Sequence, residues 1–270
     1  MVALRARAVA KGILRYLRAL TSLFMVVLQA IRVFLRVLTF IVVSLFTCLI
    51  MVIVLAISRN QRALACILYV WRRCMTATLN LRVTQHGQLP DENCIVMSNH
   101  RSYTDILLHM LGVPVVFVAK ASIRSWPIVG WAARMIGVIF VDRSSTKSRA
   151  KTRNDIRDRL RGGANILMYP EGTTHRGPEL LEYRPGAFRV AAEEGFPIVA
   201  CAIEYRNQNI AWVGEDTFLS HFLRTFGGRR LEVSIAFSSL MQSGDAELIR
   251  TQAVEWTSAQ VFAFRNAYDA

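Results

Sequence analysis

The distribution of apolar residues after about residue 93 predicts a regular series of strands and helices. Short runs of β-branched and other apolar residues alternate there with amphipathic or polar stretches. The runs predict strands at 95–97, 114–118, 138–141, 165–168, 197–203 and 231–237, and the stretches predict helices at 106–111, 148–161, 186–194 and 245–267. This alternation predicts an α/β fold, with a mixed sheet that is flanked by helices.

The first third of the chain has a different pattern. Residues 37–57 are 21 positions without a charged side chain, flanked by Arg36 and Arg59, and a second apolar stretch covers residues 20–31. As a helix, the longer run is long enough to cross a hydrocarbon core of roughly 30 Å. Basic residues favour the cytoplasmic side of a membrane, and here they flank the run on both sides. We therefore expect membrane-embedded helices that dip into one leaflet, or a hairpin with both ends cytoplasmic, rather than a single span.

The charge is concentrated in the same third of the chain. The formal net charge is +14, but residues 1–90 hold twelve basic residues and no acid, whereas residues 91–270 hold 21 basic residues and all 19 acids. Clustered basic residues can indicate nucleic acid, yet arginines between long apolar runs suit anionic lipid headgroups better. The pattern predicts membrane lipids as partners and no nucleic acid. It divides the chain into basic, membrane-associating helices at 1–75 and an α/β domain at 76–270.

Several classes of site are excluded by their missing motifs. The five cysteines are scattered without a Cys-x-x-Cys pair, and the five histidines lack helical metal-binding spacing, so neither a disulfide framework nor a zinc site is expected. No Gly-x-Ser-x-Gly nucleophile elbow and no Gly-x4-Gly-Lys-Ser/Thr phosphate loop occurs. The cysteine pattern fits a reducing compartment.

The first cluster with candidate chemistry lies between a predicted strand and a predicted helix. It contains His100 and, five positions later, Asp105. Residues five apart in one regular helix lie about 140° apart around its axis, so these two meet only if His100 lies on the preceding loop. A side-chain cap from Ser102 or Thr104 would put Asp105 in the first turn, with its carboxylate turned back toward the imidazole.

This pair predicts a general base. A carboxylate that binds one ring nitrogen fixes the tautomer and leaves the other nitrogen free to accept a proton. The nucleophile would then be the substrate's own hydroxyl, without a catalytic serine. The alternative is that Asp105 only favours the helix dipole and that His100 is an ordinary loop histidine.

A second cluster follows the next strands. Residues 137–143 begin with Gly137, contain Phe140 and end in Arg143, and Lys120 ends the strand before them. Side chains at the carboxyl ends of strands in α/β sheets face the ligand crevice, so Arg143 and Lys120 can converge on a phosphate. An ordinary solvated strand end is the alternative, and for Lys120 alone it is the simpler one.

A third cluster, Glu171, Gly172 and Thr173, lies where another predicted strand stops. Glycine allows an irregular turn or a close approach of ligand. Backbone N–H groups there can face the oxyanion that develops when a hydroxyl attacks a thioester. The sequence Pro-Glu-Gly is also common in simple turns, so this cluster by itself leaves both interpretations open.

Taken in order, four blocks of the chain resemble those of the glycerolipid acyltransferase family. The blocks are His100-x4-Asp105, Gly137-x2-Phe140-x2-Arg143, Pro170-Glu171-Gly172-Thr173 and Phe196-Pro197-Ile198-Val199. Within the family they are most similar to those of bacterial 1-acylglycerol-3-phosphate acyltransferases. The similarity covers residues 92–206, and four ordered blocks are far more specific than any one of them.

The resemblance implies transfer of a fatty acyl group from acyl-CoA or acyl-carrier protein to the free sn-2 hydroxyl of 1-acylglycerol-3-phosphate, which forms phosphatidic acid. His100 would be the base and Asp105 its orienting partner, with no metal and no other cofactor. It also implies a cell inner or cytoplasmic membrane location, with the active site facing the cytoplasm. The residues implied in substrate binding are Lys120, Gly137, Phe140, Arg143, Glu171, Gly172 and Thr173.

One departure from the family pattern concerns the acceptor. The family commonly has arginine after Glu-Gly-Thr, whereas here Thr174 and His175 precede Arg176. A displaced cation would change the contacts with a phosphate, so another lysophospholipid, a lyso-ornithine lipid or glycerol-3-phosphate stays open as the acceptor. A non-catalytic membrane protein that retains the fold is the other alternative, and the intact His100 and Asp105 argue against it.

Overall fold

The computed structural model describes residues 2–58, 60–126, 129–142, 144–228 and 230–270. Its first helix, α1 (Val2–Ile57), contains both apolar stretches of the N-terminal third. The chain therefore runs through both stretches as one helix, without a hairpin between them. No proline and no glycine occurs between residues 13 and 57, so nothing interrupts the backbone hydrogen bonds.

The second helix, α2 (Gln61–Thr78), turns back along α1. Asn60 caps its start, since the side-chain oxygen accepts from the N–H groups of Arg62 and Ala63. Trp71 donates from Nε1 to the hydroxyl of Ser44 at 3.1 Å, halfway along the pair. The hairpin is therefore formed by α1 with α2. Within the described residues, one helical segment, residues 15–57, is long and apolar enough to cross a membrane.

In the described part of the chain, seven strands form one sheet in the order β1-β7-β6-β2-β5-β3-β4. Neighbouring strands are parallel except for β6 and β7, which are antiparallel. The predicted α/β fold with a mixed sheet is confirmed. The strands are β1 (Leu81–His86), β2 (Ile95–Ser98), β3 (Val115–Lys120), β4 (Ile139–Val141), β5 (Asn165–Met168), β6 (Ile198–Tyr205) and β7 (Leu231–Phe237).

Helices cover both faces of the sheet, and each face has its own apolar core. One core contains α2, α3 and α7, with Met75, Leu108 and Phe226 packed on β2 and β6. The other core contains α5, α6 and α8. The remaining helices are α3 (Asp105–Leu108), α4 (Val129–Met135), α5 (Thr146–Arg161), α6 (Gly186–Glu194), α7 (Phe218–Phe226) and α8 (Ala246–Asp269), with short 3-10 turns at Ala121–Ser125 and Gln208–Ile210.

The predicted elements agree with these bounds to different degrees. The strand at 165–168, the strand at 231–237 and the helix at 186–194 have the bounds that the sequence predicts. The helix predicted at 106–111 is a single turn that ends at Leu108. The elements that the sequence did not predict are β1, α4 and α7.

Candidate active site

Four parallel strands, β2, β5, β3 and β4, lie side by side, so their carboxyl ends open on one edge of the sheet. The loop after β2 carries His100, the loop after β5 carries Glu171, and Lys120 ends β3. The sequence clusters therefore share one edge. Strand spacing of about 4.8 Å puts β3 about 10 Å from β2 along it.

His100 and Asp105 are in direct contact. Nδ1 of His100 lies 2.8 Å from Oδ2 of Asp105, and Asp105 is the first residue of α3, as the five-residue spacing predicts. The His100 side chain is 18% exposed and the Asp105 side chain has no exposed surface. The imidazole is thus held from inside by a carboxylate while part of the ring stays accessible.

Asp105 is fixed by three further hydrogen bonds. Oδ2 accepts from the backbone N–H groups of Arg101 at 2.7 Å and Ser102 at 2.9 Å, and Oδ1 accepts from the hydroxyl of Tyr205 at 2.8 Å. The side-chain cap predicted from Ser102 or Thr104 is wrong. The Thr104 hydroxyl bonds to Tyr205 instead, and the Ser102 hydroxyl has no hydrogen-bond partner among the described residues.

Two residues of the loop after β5 complete the surroundings of His100. The ring of Tyr169 stacks on the imidazole, with the ring centroids 3.9 Å apart and the planes 13° apart. Oε2 of Glu171 accepts from the backbone N–H of His100 at 2.6 Å. Oε1 of Glu171 accepts from the N–H of Leu181 at 3.1 Å and lies 2.7 Å from Nε2 of His175. Glu171 therefore holds the main chain of the base.

A second histidine, His109, lies below the pair. Its Nδ1 lies 2.9 Å from the carbonyl oxygen of Asp105 and 3.3 Å from the hydroxyl of Tyr169. Burial lowers the pKa of His109 from its ordinary 6.5 to about 4, despite the hydrogen bond with Asp105. His109 is therefore neutral at pH 7, and its ring connects the main chain of Asp105 to the hydroxyl of Tyr169.

Beside His100 lies a buried cluster of charged side chains. Arg101 donates from Nε to Oε2 of Glu204 at 3.0 Å, and its Nη1 lies 2.7 Å from Nε2 of His175. The other carboxylate oxygen of Glu204 pairs with Arg265. Arg101 and Glu204 are almost fully buried. Because a buried charge is costly without a partner, this cluster ties the His100 loop to β6 and α8.

His175, one of the departures from the family pattern, belongs to both networks. Its ring contacts Glu171 and Arg101, and its backbone N–H donates to the carbonyl of His100 at 3.2 Å. Gly177 follows with φ +68°, and a Cβ there would lie 2.5 Å from Nη2 of Arg101. No sequence pattern predicts the long-range contacts of Arg101 with Glu204 and His175. The only indication is that Arg101 is next to His100 in the sequence.

Of the other predicted site residues, Gly172 and Thr173 directly follow Glu171, whereas Lys120, Gly137 and Phe140 lie on or beside β3 and β4. Gly137 and Phe140 line a cavity of about 630 Å³ along the edge strand β4, and Lys120 is exposed at the end of β3. Thr173 is exposed, and Gly172, with φ +78°, makes the turn after Glu171. Arg143 lies outside the described residues. The cavity wall carries charges of both signs, from Arg124, Arg134, Lys151 and Arg159 and from Asp142, Asp155 and Asp158.

Comparisons with known proteins agree with the four blocks. Residues 80–204 match the model of the Acyltransferase family. A lyso-ornithine lipid O-acyltransferase from Pseudomonas aeruginosa is 34% identical over 170 residues, which cover 61% of this chain and 66% of that protein, just under two thirds. A 1-acyl-sn-glycerol-3-phosphate acyltransferase from Neisseria gonorrhoeae is 27% identical over 161 residues, which cover 57% of this chain and 62% of that protein.

The fold has a counterpart among solved structures. The crystal structure of the 1-acyl-sn-glycerophosphate acyltransferase PlsC from Thermotoga maritima superposes with a TM-score of 0.67. The match covers 88% of this chain and 98% of that one, at 19% identity, so it bears on the fold alone. The sequence blocks, the family match and the shared fold agree, and the chain carries, over residues 80–204, a domain of the Acyltransferase family.

Proposed function

We propose that this protein transfers a fatty acyl group from a thioester donor to the free hydroxyl of a lysolipid, with His100 as general base. The observation that carries the proposal is the contact of 2.8 Å between Nδ1 of His100 and a fully buried Asp105. A carboxylate bound to Nδ1–H orients the ring, leaves Nε2 as the basic nitrogen and stabilises the imidazolium that forms.

The proposed step balances without a covalent enzyme intermediate. Nε2 of His100 takes the proton of the acceptor hydroxyl as its oxygen attacks the thioester carbonyl, and an ester bond forms as the C–S bond breaks. The imidazolium then returns the proton to the leaving thiolate. The reaction in this form needs no metal and no further cofactor.

Other nucleophiles near the site are poorly suited to the reaction. Cys201 is buried, and burial raises the pKa of its thiol far above the ordinary value. The buried hydroxyl of Ser102 has no hydrogen-bond partner in the described part of the chain and so no base to activate it. Direct attack by the acceptor hydroxyl is therefore the simpler route.

For the acceptor we propose 1-acylglycerol-3-phosphate, with acylation at its sn-2 hydroxyl to give phosphatidic acid. The four blocks support this acceptor, with Lys120 and Arg143 in the role of phosphate ligands. Lyso-ornithine lipid is the second candidate. It is favoured by the name of the relative that is 34% identical, and by Thr174 and His175 at the position where the family commonly has arginine.

The donor and the location complete the proposal. Acyl-CoA or acyl-carrier protein would supply the acyl group from the cytoplasm, and α1 with α2 would hold the domain on the cytoplasmic or inner membrane. The support for the membrane is the apolar helical segment at residues 15–57, together with twelve basic residues and no acid in residues 1–90.

The experiment incubates the full chain with each donor and a panel of acceptors, and identifies the products by mass spectrometry. The panel holds 1-acylglycerol-3-phosphate, lyso-ornithine lipid, lysophosphatidylethanolamine and glycerol-3-phosphate. We expect phosphatidic acid to form, and no product with His100→Ala. Acylation of lyso-ornithine lipid alone would replace the first acceptor by the second, and no product with any pair would overturn the enzymatic proposal.

A further inference from the structure

The apolar side chains of helix α7 (Phe218–Phe226) form one broad stripe, of which the core buries only a part. Phe222 and Phe226 are buried on the face toward the sheet. Phe218, Leu219 and Leu223, which we call the α7 face, are exposed on the outside. A single exposed leucine is ordinary, but three large apolar side chains within six residues of one short helix indicate a surface that contacts another apolar medium.

The carboxyl end of α7 is fastened to α1. Nη1 of Arg36 lies 2.8 Å from the carbonyl oxygen of Gly228, and Nη1 of Arg32 donates to that of Gly227 at 3.1 Å. These carbonyls lie at the end of α7, where its hydrogen bonds are unsatisfied and its dipole is negative. Two cations of α1 therefore cap α7 and fix its position relative to the apolar helix.

On α1, the exposed apolar side chains near this junction form a stripe along one face. We call this stripe the α1 face; it consists of Leu38, Ile41, Val42, Leu45, Phe46, Leu49, Val52 and Ile53. Their spacing of three and four residues keeps them on one side of the helix. The opposite side of α1 packs on α2 and the domain through Val37, Phe40 and Val43. The α1 face is therefore the side of α1 that is turned away from the domain.

The other end of α7 reaches the loop of the proposed base. Tyr103 lies between His100 and Asp105 in the sequence. Its ring centroid is 5.0 Å from that of Phe218, and its hydroxyl is hydrogen-bonded to Nδ1 of His221 at 3.1 Å. Its ring also contacts Trp212 at 5.5 Å. Helix α7 thus connects the membrane-type helix directly to the catalytic loop.

We propose that the α7 face docks on the lipid bilayer beside α1, as an interfacial helix that sets the His100 loop at the level of the headgroups. Arg32 and Arg36 hold the end of α7 against α1, so a bilayer that takes up α1 lies next to α7. The basic residues of the N-terminal third, without any acid among them, suit an anionic bilayer. The exposed Trp126, whose ring lies 6.0 Å from that of Trp212, extends the surface with an aromatic residue of the kind enriched at membrane interfaces.

The experiment places one fluorophore at a time on three exposed leucines of the full chain. Cys48, Cys66 and Cys74 are first replaced by serine, and an environment-sensitive dye is then attached to Leu219→Cys. Leu45→Cys on the α1 face is the positive control, and Leu248→Cys on α8 is the negative control. The three leucines are 61%, 63% and 48% exposed, so the dye starts in water at each site.

Emission is measured with vesicles of equal parts phosphatidylglycerol and phosphatidylcholine, with and without brominated lipids. We expect a blue shift and bromine quenching at position 219, with quenching strongest for bromine near the headgroup, and no change at position 248. A label at position 219 that behaves like the one at 248, while the one at 45 responds, overturns the docking of α7. If none of the labels responds, the protein does not bind this bilayer and the proposal is also wrong. The measurement needs no turnover, so its result is independent of the proposed reaction.

Discussion

At the carboxyl edge of the sheet, the loops after β2 and β5 differ from those after β3 and β4. The first pair holds His100, Asp105 and Glu171 in a closed network, in which the side chain of Asp105 and the carboxylate of Glu171 have several partners each. The second pair borders an open cavity of about 630 Å³, and Lys120 at the end of β3 is exposed.

The difference matches two physical requirements. A base must hold one orientation to within a fraction of an ångström, and buried hydrogen bonds supply that rigidity. A binding surface needs accessible charge that can approach a ligand, and the exposed Lys120 and the charged cavity wall provide it. We therefore expect variants of the closed half to lose catalysis or stability, and variants of the open half to change acceptor binding.

The largest effect is expected for His100→Ala. Loss of a general base lowers the rate by about 10²- to 10⁴-fold, so acyl transfer should become undetectable in most assays. Binding to vesicles should persist, because the apolar helices lie in another part of the chain. The measurement is kcat/KM with parallel vesicle sedimentation. Retained turnover in this variant would overturn the mechanism.

The next effect tests the buried charges of the closed half. Glu204→Gln removes the partner of Arg101, whose charge is then buried without compensation, and we expect a loss of about 3 to 5 kcal/mol in the free energy of unfolding. The control is Glu232→Gln, which breaks exposed pairs with Arg206 and Arg230 and should cost about 0 to 1 kcal/mol. Denaturant unfolding measures both. Equal losses would show that the Arg101 cluster does not stabilise the loop.

The buried His109 predicts how stability depends on pH. Its pKa is about 4 when folded and 6.5 ordinarily, so the unfolded chain binds the extra proton first as pH falls. The stabilisation that depends on neutral His109 should therefore be fully present above pH 6.5. The free energy of unfolding should then fall by about 3 kcal/mol as the pH drops to 4. Unfolding curves of the natural chain and of His109→Gln, recorded from pH 7 to pH 4, measure the difference. Parallel profiles would contradict the shift.

The smallest effect is expected on the open half. Arg143→Ala should raise KM for 1-acylglycerol-3-phosphate about tenfold with little change in kcat, because a ground-state contact with the phosphate is lost. Arg153→Ala, an exposed cation of α5, is the control and should leave KM unchanged. Steady-state kinetics with both substrates varied separates the cases. A change in the donor parameters alone would assign Arg143 to the acyl carrier.

Local elements of the fold were predictable where the pattern is strong. Strand β5 is a compact apolar run, and α6 ends at Gly195 in the left-handed conformation, so both bounds follow from nearby residues. Strand β1 was missed because most of its side chains are exposed and its partner β7 lies about 150 residues further along. Helix α7 was missed because its nine residues are fewer than the window of about 11 to 18 over which a helical period is recognised.

The sequence by itself predicted the contact of His100 with Asp105, since a spacing of five residues across the start of a helix is a local constraint. It also determined the family resemblance and the separation of a basic, apolar N-terminal third. Only the tertiary structure decided that Arg101 pairs with Glu204, that His175 contacts Arg101, and that α7 joins α1 to the catalytic loop. Those contacts join residues up to about 195 positions apart, and burial, which no local pattern specifies, selects them.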